Sequence, residues 1–176
     1  MKRSVFESED MDQLDVTVSE MLLATAEQSD AMVDASVTRV LQVLRERLGM
    51  DVVFVAEFDG DRHVIRQVAN PAHAQAHVPG EVRVLEQTWC HHVVEGRLPR
   101  LVPDTRTQHA ARQALPELAK VGAFITTPIV LDGQKNYGTL CTYSFAANDA
   151  LGDRHLQAME KAALHISQAV GRAHRG

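Results

Sequence analysis

Four residues able to do chemistry stand in a row at Trp89-Cys90-His91-His92, followed by the turn Gly96-Arg97-Leu98-Pro99. A tryptophan can stack on a planar ligand, a cysteine can act as a nucleophile or thioether anchor, and histidines can move protons or hold a metal. The segment is therefore a candidate catalytic centre, metal site, cofactor tether or pocket wall. Spacing argues against a metal. His91 and His92 are adjacent, about 100° apart on a helix, so they cannot chelate one ion from the same face. His73 and His77 have i,i+4 spacing but lie in a loop bounded by Pro71 and Pro79. No Gly-rich phosphate loop, HExxH or GxSxG is present.

Each remaining candidate has a structural and a functional reading. A buried Cys90 ordinarily behaves as a small apolar side chain; reactivity requires a lowered pKa, for which a helix N-terminal half and His91 are the available causes. Trp89 either stacks on a ligand or fills core volume. Asp104 offers an acceptor to a ligand, but its position favours a helix N-cap. On the last strand Tyr143 shares a face with Cys141 and Thr139, whereas Thr142 shares the other with Leu140, so only part of Thr126, Thr142 and Tyr143 can face one cavity. The expected ligand-lining set is Trp89, Cys90, His92, Asp104, Thr126 and Tyr143, with no catalytic residue and no metal ligand assigned.

These residues must be positioned by one core. The chain has 176 residues, 45% hydrophobic and 23% charged, within the globular range. A net charge of -5 gives no field favouring nucleic acid or an acidic membrane. No apolar run approaches the roughly 20 residues of a membrane helix. MKRSVFESED lacks the apolar stretch of a signal peptide, and two cysteines make at most one disulfide, so a cytoplasmic location is expected.

Leu14, Val18, Met21, Leu22 and Thr25 mark one amphipathic helix from Met11 onward, and Val33, Val37, Val40, Leu41, Leu44 and Leu48 a second, capped by Ser29 or Asp30 and ended by Gly49. The two stripes are out of phase, which places a break or a change of partner at Glu27 to Asp30. Asp59-Gly60-Asp61 joins two strands as a hairpin. Residues 70–80 form a loop, Glu81 to Val84 a short strand, Leu85 to Glu95 a helix stopped by Gly96, and Arg100 to Val102 another extended piece. Asp104 or Thr105 caps a helical segment running to about Ala114 and resuming to Lys120. Ala123 to Leu131 and Tyr137 to Phe145 form the clearest hairpin, in which Pro128 needs a position with no ladder donor. Asn148 or Asp149 caps a final helix whose seam is Leu156, Met159, Ala163, Ile166 and Val170. The order predicts an α+β fold with an antiparallel sheet and terminal helices together on one face.

Trp89-Cys90, Val93-Val94-Glu95-Gly96-Arg97-Leu98-Pro99 and Val102-Pro103-Asp104 resemble a helix-turn-strand segment of bacterial GAF domains. Gly122 to Leu140, with Thr127-Pro128-Ile129, Asp132-Gly133 and Tyr137-Gly138-Thr139-Leu140, resembles that family's closing hairpin. The likeness covers roughly residues 30–174 and leaves 1–29 as an added helical extension. It implies a GAF-like (profilin-like) antiparallel sheet of about five to six strands, the N- and C-terminal helices on one face, and pocket helices on the other. In this family a bilin tether is a cysteine before a histidine beyond the Gly-Arg turn, and the corresponding place, near Gln108-His109, has none. Methionine sulfoxide reduction in the family uses a cysteine set that Cys90 and Cys141 do not match. The expectation is a bacterial stand-alone sensory module, not an enzyme. It binds a small-molecule ligand with no cofactor assigned, and signals through terminal helices of a homodimer to a downstream protein, without nucleic acid or membrane. The competing reading is a redox-active thiol protein using Cys90, either methionine sulfoxide reductase-like or a cysteine redox sensor.

Overall fold

The computed structural model describes residues 8–23, 30–132 and 135–175. Two helices open the chain, α1 (Ser8–Leu23) and α2 (Asp30–Leu48). A hairpin of β1 (Val52–Asp59) and β2 (Arg62–Ala69) follows, then β3 (Val82–Val84), a 3-10 turn (Leu85–Gln87) and the six-residue α3 (Trp89–Val94). β4 (Leu101–Val102), a 3-10 turn (Thr105–Thr107), α4 (His109–Ala114) and a second 3-10 turn (Pro116–Lys120) lead into the hairpin of β5 (Ala123–Leu131) and β6 (Lys135–Ser144). The chain returns along α5 (Asp153–Arg175). The described strands form one antiparallel sheet in the order β3-β2-β1-β6-β5-β4.

Strand alternation splits the apolar residues between two cores. Val53 and Val55 of β1, Ile125 of β5 and Leu140 of β6 face the helical layer. There they meet Val37, Leu41 and Leu44 of α2 and Met159 and Ile166 of α5, all fully buried. Leu14, Val18 and Leu22 bury the stripe of α1 in the same layer, while Thr25 and Glu27 to Ser29 lie outside the described residues. Phe54 and Ala56 of β1, Phe124 of β5 and Cys141 and Tyr143 of β6 face the opposite way, under a roof built by Trp89, Cys90, Val93, Leu115 and Leu118.

Two punctuation points are conformational requirements. Gly49 ends α2 at φ +68°, and Gly96 ends α3 at φ +79°, both in the left-handed region open to glycine. Pro128 pairs with Thr139 of β6, and its other edge faces the β4 side. Thr126, two residues earlier, donates its N–H to Arg100 O on that side, but β4 ends before it can reach Pro128. The ring therefore sits where no ladder donor is needed.

Two sequence expectations are corrected. The continuous helix Leu85 to Glu95 is broken at Thr88, which is extended (φ -100°, ψ 144°). Its hydroxyl accepts from His91 N–H and donates to Leu85 O at 2.7 Å, a local arrangement that competes with helix continuation. The final helix starts at Asp153, not after Asn148 or Asp149. Asn148 builds a turn instead: its side chain accepts from Ala150 N–H and its own N–H bonds Pro103 O. The N-terminal reach-back of α5 comes from His155, whose Nδ1 accepts the Gly152 N–H at 3.1 Å.

Candidate functional site

A cavity of about 560 Å³ opens on the roof face of the sheet. Its floor is Tyr143 of β6 and its inner wall the indole of Trp89; Phe145 edges the mouth. The loop after β2 contributes Ala74, Ala76 and His77, β3 brings Arg83 with Glu81 before it, and the Pro116–Lys120 turn supplies Glu117 and Lys120. The aromatic rings brace one another. Trp89 meets Phe54 at 6.2 Å and Tyr143 at 5.6 Å between centroids, both edge-on, so the wall is rigid before anything enters.

The break at Thr88 makes this placement. It aims Trp89 at the first turn of α3, where the backbone N–H donates to Glu117 Oε1 at 3.0 Å and the indole Nε1–H donates to Thr126 Oγ1 at 3.1 Å. One residue thereby joins the roof, the 3-10 turn and the central sheet. Glu117 also pairs with Arg83 across the cavity. Lys120 makes no ion pair among the described residues.

A hydrogen-bonded row crosses the floor. Burial pushes the Tyr143 phenol well above its ordinary value, with the neighbouring Cys141 a further cause, so the hydroxyl keeps its proton. Its partner at 2.9 Å is His77 Nε2, and His77 Nδ1 lies 2.9 Å from Glu81 Oε2. The imidazole thereby joins Tyr143 and Glu81 in one row.

The sequence-predicted set is divided by the structure. Trp89 and Tyr143 line the cavity, and Thr126 lies beneath the indole that it anchors. Cys90 is 1% exposed and packs behind Trp89 in the roof core. His92 points elsewhere, with Nε2 on Glu86 O and Nδ1 accepting from Arg97 Nε–H. Asp104 lies outside the lining, capping the Thr105–Thr107 turn through Arg106 N–H. Hydrogen bonds from the Arg106 side chain and backbone hold its carboxyl at a pKa of about 2. Thr142 faces the helical layer's side, its hydroxyl on Val52 O. His77, Glu81, Arg83, Glu117 and Lys120 are the lining residues that sequence reasoning missed. His77 carried a signal in its proline-bounded loop; the others sat among ordinary surface charges.

Beneath the cavity wall the two thiols meet. Cys141 is 0% exposed, and its Sγ lies 3.0 Å from Thr126 Oγ1. Burial raises a thiol, but around Cys90 the contacts with Cys141 and then His63 outweigh it and hold that thiol well below its ordinary value. Burial and the neighbouring Cys90 push the Cys141 thiol well up. Among the described residues no group of three or more His, Cys, Asp or Glu side chains is placed to hold a metal ion, and no helix is long and apolar enough to cross a membrane.

Known proteins place this architecture. The GAF domain of a phosphoenolpyruvate-protein phosphotransferase from Coxiella burnetii superposes with a TM-score of 0.77 at 16% identity, covering 97% of this chain and 98% of that one. The phycoerythrobilin-bound GAF domain of a cyanobacterial phytochrome gives 0.72 at 15% identity, covering 92% and 96%. The free methionine-R-sulfoxide reductase of Neisseria meningitidis, in complex with its substrate, gives 0.72 at 11% identity, covering 99% and 98%. These likenesses show the fold. No curated protein matches the chain in sequence. A sequence model of the GAF domain matches residues 31–171, and with the sheet order, the two-sided core and the roofed cavity already described, the chain belongs to the GAF domain family.

Proposed function

We propose that this chain is a sensory module that binds a small molecule in the cavity beside Trp89 and passes its state through α1, α2 and α5 in a homodimer. The observation that carries the reading is a cavity of about 560 Å³ with braced aromatic walls and convergent polar groups, on the sheet face opposite the helical layer. The lining favours a planar molecule that packs against Trp89, Tyr143 and Phe145. Lys120, with no ion pair among the described residues, favours an anionic group on that molecule. The GAF family model adds that such domains are ligand-binding signalling units. Signalling through the helices requires a ligand that binds two states of the module unequally.

Thermal shift on a panel of nucleotides, aromatic acids and neutral aromatics tests the binding. At least one anionic planar compound raises the melting temperature saturably, and Ala76→Trp, which fills the cavity from its loop wall, abolishes the rise. If no compound shifts the wild-type chain, and native mass spectrometry finds no bound molecule, the reading fails.

The dimer is supported by large apolar side chains left exposed on the helical layer: Val16 at 54%, Met32 at 50% and Leu164 at 58%. Pairing through these helices also gives α1 a role, as the added element that enlarges the interface. Leu164→Glu is expected to turn a dimer into a monomer in light scattering while leaving the melting temperature of the monomeric fold within a few degrees. A wild-type chain that is monomeric at every concentration contradicts the dimer.

A further inference from the structure

The chain has two cysteines, and the fold brings both into the same buried spot. Cys90 hangs from α3 in the roof and Cys141 rises from the central strand β6 beneath it. They are neighbours in the roof core, and each is the other's leading polar contact. His63, on β2, is 0% exposed and lies beside the Cys90 thiol, as does Thr139 on β6. Neither ring nitrogen of His63 makes a well-formed hydrogen bond, and Thr139 Oγ1 makes none. A fully buried imidazole with no polar partner better than the Cys90 sulfur is costly, and an apolar residue would fill the same space at less cost. Phe54 and Phe58 pack edge-on and tilted against this ring, beside the Cys90 sulfur. The same groups are not placed to share a metal ion.

We infer that Cys90, Cys141 and His63 form an oxidation site, at which hydrogen peroxide converts the two thiols to an intramolecular disulfide. The Cys90 sulfur attacks one peroxide oxygen; the O–O bond breaks, His63 takes the thiol proton and passes it to the departing oxygen, and water leaves. The product is a Cys90 sulfenic acid. The Cys141 sulfur then attacks the Cys90 sulfur, the S–O bond breaks, and the Cys141 proton leaves with that oxygen as a second water. Two thiols lose two protons and two electrons in all, and one peroxide takes them up to become two waters. Cys90 is the attacking sulfur because it has the histidine; Cys141 is the resolving one because its neighbours are Thr126 and Cys90 itself. The bond pins α3 to β6. Trp89 precedes Cys90 by one peptide link and shares Thr126 with Cys141, so oxidation moves the cavity wall.

The test uses the full chain, reduced and then freed of reductant. After hydrogen peroxide and denaturing alkylation, the intact mass is expected to show both thiols protected and two hydrogens lost. Digestion yields a linked Cys90–Cys141 peptide that dithiothreitol separates, and the chain stays monomeric on a non-reducing gel. Cys141→Ser leaves Cys90 to over-oxidise to the sulfinic acid, Cys90→Ser leaves Cys141 alkylatable, and His63→Gln slows wild-type disulfide formation by about tenfold or more. The wild-type result alone decides the disulfide, so a variant that fails to fold does not obscure it. Two free thiols after peroxide, a sulfinic acid on wild-type Cys90 beside a free Cys141, or a link between two chains overturns the inference. Ligand binding by the reduced chain is a separate readout, so the two proposals fail independently.

Discussion

Gly138→Ala is expected to cost about 3 kcal/mol or more, because the added methyl meets the backbone of the neighbouring strand. Gly138 sits in β6 opposite Glu57 of β1 and Ile129 of β5, in the middle of the sheet. A Cβ built there comes within 1.8 Å of the Ala56 carbonyl oxygen and 2.8 Å of its carbon. These are backbone atoms, so no rotamer change relieves the contact. β1 and β6 must separate, and the ladder that carries both cores opens with them. The register shift at Ile129 and Val130 lies against this position, so β6 has little freedom to slide. Urea denaturation reads the loss as a lower midpoint. Gly152→Ser, where a Cβ meets nothing within 4 Å, should move stability by no more than about 0.5 kcal/mol. Equal midpoints for the two variants would contradict the packing described for the sheet.

Trp89→Ala is expected to destabilise by about 3–5 kcal/mol, the usual cost of emptying a buried aromatic site. The indole is 2% exposed and touches Phe54, Phe124 and Tyr143. Its Nε1–H is the link to Thr126, and its loss enlarges the cavity into the roof core. Trp89→Phe keeps the apolar contact and loses the hydrogen bond, so about 1–2 kcal/mol should go. Both variants should weaken binding of any compound that stabilises the wild type, Ala more than Phe. A Trp89→Ala chain as stable as wild type would mean that the indole does not brace the wall.

Most of the fold was legible because its signals were local. Gly49, Gly96 and Asp59-Gly60 each encode a conformation within a few residues, and the stripes of α2 and α5 follow from periodicity. Pro128 announced its own constraint. The helix from Leu85 failed because Thr88 has two uses for its hydroxyl, and the choice depends on where Trp89 is held by Glu117 and Thr126, both distant in sequence. The start of α5 failed similarly: Asn148 is a good cap by type, but Pro103 claims its backbone N–H.

The site divided along the same line. Strand alternation set Tyr143 and Thr142 on opposite faces but left open which face looks into the cavity, and whether Thr126 does; Trp89 stood out as the sole indole. Asp104 and His92 satisfy their own neighbourhoods, and residue type alone does not reveal that. The charged lining comes from three segments, the loop after β2, β3 and the Pro116–Lys120 turn, which approach only after the sheet has formed. His63 was hidden as well. Its face follows from the Asp59–Arg62 pairing, which sets it opposite Phe58, but its nearness to Cys90 requires the roof.

A chain with one indole gives one indole N–H resonance, and that signal reports on the cavity wall directly. Titrating the compound that most raises the melting temperature should move the Trp89 resonance saturably, with the same affinity as the thermal shift, and Ala76→Trp should leave the original indole signal unmoved. A compound that stabilises the wild-type chain while its Trp89 resonance stays fixed would contradict binding beside Trp89.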